Sequence, residues 1–153
     1  MDMKTQQYIR ELDDLWNTIK SIDDEEIKSS LVKLFCIRTS GFLEVFIKTR
    51  ISEYSKGKVP KEINRFLTTK FKDITNLKST KLVDVLESFS DEWAMKLRDY
   101  LNEHEQEKLS MDSLVNQRHL IVHGKSANIG SRTMLQYYED VKNIVQYIDG
   151  IIR

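Results

Sequence analysis

Proline occurs once in the 153 residues and glycine five times. Strand-rich folds need many tight turns, and tight turns draw on those two residues. Their scarcity argues against a β-sandwich or barrel. Cysteine also occurs once, at Cys36. No disulfide framework can form within the chain, which points to a reducing compartment. No apolar run approaches the ~18 residues of a membrane span. The opening stretch "MDMKTQQYIRELDDLW" has no apolar signal core. These absences predict a cytoplasmic protein that does not engage a membrane. A charge excess is missing too, since 24 basic residues balance 24 acidic ones. That argues against a protein that coats nucleic acid by bulk charge. There is no glycine-rich phosphate loop, no Cys-x-x-Cys pair and no serine nucleophile elbow.

What is present reads as helix. The hydrophobic content of 40% and the charged content of 31% suit one globular domain over residues 1–153. Tyr8, Leu12, Leu15, Trp16 and Ile19 recur at helical spacing and predict a first helix over Met3 to Lys20. A long second helix begins near Asp23 or Asp24, with acids in its first turn, and runs to about Tyr54. It carries two apolar stripes: Ile27, Leu31, Leu34, Phe35, Phe42, Val45 and Phe46, and then Ile37, Ile47 and Ile51. A helix apolar on more than one side is central in its bundle. Gly41 within it suggests that another helix approaches closely there. Pro60 opens a third helix ending near Phe71, Leu82 to Phe89 form a fourth, and Ser90 caps a fifth that runs to about His104. Ser110 is expected to cap the sixth and Ser131 the last. The last has the cleanest apolar stripe, from Met134 to Ile152.

Two histidines and an arginine stand together in "VNQRHLIVHG", Val115 to Gly124. Arg118 lies four residues after Leu114 and three before Ile121; His119 lies four after Val115 and three before Val122. Both therefore sit where the pattern reserves positions for the core side. A buried arginine needs a partner, so a carboxylate or a bound phosphate is expected beside Arg118. His123 is ~140° from Arg118 on an ideal helix. Gly124 resolves this if it ends the helix, because His123 can then turn back from the last turn. His119 and His123 form His-x3-His, a zinc spacing with no third ligand nearby; Cys36 and His104 would have to converge on it. Glu44 shares a side of the second helix with Ile37, Ser40, Ile47 and Ile51. It either orients Arg118 or a motif histidine, or pairs with Lys48 at the surface. Tyr137 and Tyr138 either reach the same cleft or pack in the core. From Lys56 to Lys81 bases predominate, with Lys70 and Lys72 among them, and Lys125 follows the motif. These lysines are candidates to hold a phosphate backbone, or else form a solvated surface.

The string "RHLIVHG" resembles the Arg-(Asn/His)-x-x-x-His motif of the HEPN superfamily. "RTSGFLEVFIKTRI", "FSDEW", "MDSLVNQRHLIVHG" and "YYEDV" follow the order of the RiboL-PSP type of HEPN domain over about residues 27–152. The resemblance implies an all-α bundle with a long central helix and a C-terminal helical hairpin. It also implies a homodimer with two motifs facing across a cleft, and a metal-independent, cofactor-free endoribonuclease. Arg118 and His123 would be the catalytic pair, and His119 the polar residue after the arginine. Many such proteins act in toxin–antitoxin or antiviral systems, with an antitoxin or activator protein as partner. Lys125 stands where HEPN toxins silenced by nucleotidyltransferases carry a tyrosine, so the resemblance does not extend to that silencing. The alternative is an inactive HEPN module that binds RNA, nucleotide or a partner protein; the intact Arg118/His123 pair favours activity. A helical adaptor with no site is a third reading.

Overall fold

The computed structural model describes residues 1–153 and contains seven α-helices and no strand. Helix α1 spans Met3–Ser21 and is capped by Asp2, whose carboxylate accepts from the Thr5 N–H at 3.0 Å. It buries Thr5, Leu12 and Ile19, a stripe repeating every seven residues. Helix α2, Glu25–Ser55, is capped in the same way by Asp24, which accepts from the Ile27 N–H at 3.0 Å. Its buried side chains run from Val32 to Ser55 and point in several directions. They meet α1, the sixth and the seventh helices, so α2 is the central element. Ile27 and Leu34, expected in its inner stripe, are exposed. They belong to the first third of α2, ahead of most of its buried residues.

Helix α3, Lys61–Lys70, buries no side chain and is followed by a 3₁₀ turn at Phe71–Asp73. Helix α4 is Ser79–Glu87, three residues earlier than its apolar pattern suggests. The reason is tertiary: Asp112 of the sixth helix accepts from the Ser79 N–H at 2.7 Å and from its hydroxyl at 2.9 Å, capping α4 from outside. Helix α5, Asp91–Glu103, is capped by Ser90 as expected.

Helix α6 is Glu105–Val122, so it starts six residues before the expected opening at Met111. Ser110 is no cap; it is buried inside the helix and donates to Asp140 at 2.5 Å. Helix α7, Ser131–Ile151, is capped at Gly130, and Ser131 is its first residue. Its stripe of Met134, Tyr138, Val141, Ile144, Val145 and Ile148 is buried as the sequence pattern predicts. One cluster of 28 buried apolar residues joins α1, α2, α4, α5, α6 and α7. Ile74 and Leu77, from the loop ahead of α4, belong to it as well. Gly41 does mark a close approach, but by α1 rather than α6: a Cβ there would lie 3.3 Å from the Tyr8 hydroxyl. No helix is long and apolar enough to cross a membrane.

Candidate functional site

The site is built at the C-terminal end of α6. Gly124 adopts φ +65, the left-handed conformation that glycine takes without steric cost. Its N–H bonds the Ile121 carbonyl at 3.1 Å, and the Lys125 N–H bonds the Leu120 carbonyl at 2.9 Å. This paired closure is a Schellman ending, and it fixes His123 as the cap residue. His119 and His123 are both exposed, with ring centroids 4.2 Å apart. No third ligand joins them: Cys36 is buried with its thiol 3.8 Å from the Leu114 carbonyl, and His104 sits at the junction of α5 and α6.

Arg118 is half-buried, as its place in the pattern implies, but its partner within the chain is not a carboxylate. Its Nη1 donates to the side-chain oxygen of Asn76 at 2.7 Å. Its Nε is buried without a partner, and none of the ion pairs in the molecule includes it. Asn76 lies in the loop between the 3₁₀ turn and α4 and is the one non-glycine residue with positive φ, at +52. Asparagine tolerates that conformation better than most residues. The loop is pinned on both sides of it by buried Ile74 and Leu77, and the Lys81 ammonium bonds the Thr75 carbonyl. Glu44 of α2 accepts from the Asn76 N–H at 2.9 Å. Glu44 is therefore linked to Arg118, but through Asn76, and it makes no ion pair with Lys48. Asn76 is the residue that sequence reasoning missed. Its one signal is the residue type, an asparagine ahead of a helix start.

Cys36 lies beneath this arrangement. Burial pushes its thiol up to about 12, and the nearby Arg118 charge offsets only part of that. Tyr138 belongs to the core and not to the motif. It is 1% exposed, and its hydroxyl donates to Asp13 at 2.6 Å and to the Ile9 carbonyl at 3.3 Å, both on α1. Burial, then the Asp13 bond, raise its pKa. Lys125 is exposed beside His123 in the chain. Lys70 ends α3 with its ammonium 5.4 Å from the Phe66 ring centroid, and Lys72 is exposed in the 3₁₀ turn that precedes the Asn76 loop. Four surface cavities elsewhere on the molecule are lined by none of Arg118, His119 and His123.

The sequence model of the RiboL-PSP-HEPN family matches residues 4–153. The chain belongs to the RiboL-PSP-HEPN family. The match takes in α1, ahead of the stretch from Ile27 that carries the resemblance in sequence. The Arg118–His123 segment of this RiboL-PSP-HEPN domain therefore lies on α6, the first arm of a C-terminal helical hairpin with α7. Membership supports a role in RNA cleavage or RNA binding. No curated protein and no solved structure matches the chain.

Proposed function

We propose that this RiboL-PSP-HEPN protein is a metal-independent endoribonuclease with Arg118 and His123 as its catalytic pair. One observation carries the reading: Arg118 is held in place with no carboxylate on it, on the same helix end that fixes His123. A guanidinium in that condition suits the negative charge of a phosphodiester as it passes to a phosphorane. Histidine suits the proton transfers near neutral pH.

In the proposed reaction the 2′-OH attacks the adjacent phosphorus, the O2′–P bond forms and the P–O5′ bond breaks. One imidazole accepts the 2′-OH proton and another donates a proton to the leaving O5′. The products are a 2′,3′-cyclic phosphate and a 5′-hydroxyl end. DNA lacks the nucleophile and is not cleaved. His119 packs on His123 and steadies it. Because His119 and His123 are exposed on the single chain, a second copy is proposed to supply the facing wall and the second histidine. Lys125, Lys70 and Lys72 are proposed to hold the RNA backbone on either side. A toxin–antitoxin or antiviral role, with an antitoxin or activator as partner, is the proposed context.

The test is incubation of structured and single-stranded RNA with the protein in EDTA, beside Arg118→Ala and His123→Ala proteins of verified fold. Cleavage by the wild type alone, leaving cyclic phosphate ends, is the expected result. Products with 5′-phosphate ends, or cleavage by all three proteins, contradict the reading. RNA binding without cleavage would transfer the assignment to a binding module.

A further inference from the structure

The bond between Asn76 and Arg118 joins residues 42 positions apart and is made by a side chain whose own backbone is set by a third residue. We infer that Asn76 is a positioning residue for Arg118, one that orients the guanidinium with a neutral acceptor and so leaves its charge for an anionic ligand. The identity of that ligand as a phosphodiester rests on the function proposed above; the orienting role does not.

Two features set this bond apart from an incidental surface contact. First, its acceptor is placed by a built loop. Asn76 takes a left-handed backbone, Glu44 grips its N–H, Ile74 and Leu77 are buried on either side, and Lys81 holds the Thr75 carbonyl. Second, the one carboxylate in the relay is spent on a backbone donor. Glu44 bonds the Asn76 N–H and makes no ion pair with Arg118, so the negative charge stays one residue away from the cation. A carboxylate directly on Arg118 would compensate the charge and compete with a phosphate for the same donors. Water alone would leave the long side chain free among its rotamers. An amide oxygen avoids both outcomes.

Position 76 permits a clean test, because glycine and aspartate also accept a left-handed backbone. Asn76→Gly removes the acceptor, and Asn76→Asp keeps its length but adds charge. The first readout is nitrogen-15 NMR of the Arg118 side chain, assigned with Arg118→Lys. The wild type is expected to show distinct, slowly exchanging Nη signals from hindered rotation. Asn76→Gly is expected to average them and Asn76→Asp to keep them. The second readout uses a short single-stranded RNA in EDTA. Asn76→Asp is expected to weaken binding about tenfold, and Asn76→Gly to lower kcat about tenfold with a smaller change in KM. Arg118 signals that are averaged already in the wild type, or unchanged in Asn76→Gly, overturn the inference. If the wild type leaves RNA intact while Asn76→Gly still frees Arg118, the positioning role stands and the nuclease reading fails.

Discussion

Cys36 is the residue whose surroundings speak most directly to stability. Its thiol is sealed between α2 and α6 and pushed by burial from an ordinary 9.0 up to about 12, against the pull of Arg118. A raised acid binds its proton more tightly in the folded state. Its contribution is therefore complete below pH 9 and is lost as pH climbs through 12. Urea titrations at pH 8, 9.5 and 11 should show stability falling above pH 9, with Cys36 alone contributing up to ~1.4 kcal/mol per unit and the raised tyrosines steepening the fall above pH 10. Cys36→Ala should flatten that slope, leaving the part due to Tyr138 and Tyr100, whose hydroxyls are also raised by burial. Asp140 makes a second prediction at this scale. It is 5% exposed and accepts from Ser110 and, at 2.9 Å, from Gln136. Asp140→Ala leaves the buried Ser110 hydroxyl proton without its acceptor and should cost about 1–3 kcal/mol, read as a lower Tm. That Arg118 needs a partner was legible in the sequence, from its place among Leu114 and Ile121. The partner was not, because an asparagine in a loop has no periodicity and a neutral acceptor leaves no charge pattern.

At the level of elements, the ending of α6 is the part most tied to the motif. Gly124 has φ +65 and Gly57 has φ +74, and a Cβ at either would meet nothing within 4 Å. The backbone alone therefore sets the cost of alanine, roughly 1–2 kcal/mol at each site. The two substitutions should lower Tm equally in thermal melts monitored by circular dichroism. Only Gly124→Ala should also lower RNA cleavage, because it loosens the turn that fixes His123. Equal activity in both would dissociate the helix ending from the site. Elements with a regular apolar stripe, such as α1 and α7, were readable almost to the residue. The starts of α4 and α6 were not. The α4 start depends on Asp112, which comes from another helix, and Ser110 has the chemistry of a cap but is spent on Asp140 in α7. Tyr138 was open between cleft and core for a similar reason: its stripe position says that it is buried, not that its hydroxyl finds Asp13.

At the scale of the whole molecule, zero net charge conceals separate acidic and basic regions. The acids cluster between Asp13 and Glu26 and the bases between Lys56 and Lys81. If Lys70, Lys72 and Lys125 hold RNA, replacing each by alanine should weaken binding of unrelated single strands alike. Each replacement should also reduce the salt slope by nearly one phosphate's worth, ~0.7 per contact for single strands. Sedimentation should find a dimer. Mixing the wild type with excess His123→Ala protein should then silence the wild-type subunits as they exchange, because a shared cleft with one His123 lacks its acid or its base. A monomer, or wild-type subunits that keep full activity after exchange, would leave each site within one chain. Fold class was readable early because helix periodicity is a local property. A facing wall from a second copy was not, because no local pattern in the sequence encodes one.

The left-handed backbone at Asn76 also has a consequence in the genetic code. Asparagine, aspartate and glycine are the residues that most readily adopt it. Either asparagine codon becomes an aspartate codon by one transition at its first base, while glycine lies two changes away. The shortest step that keeps the loop is thus the one that sets a carboxylate against Arg118. A lineage under selection to weaken anion binding at Arg118 while keeping the loop folded has a route one nucleotide long.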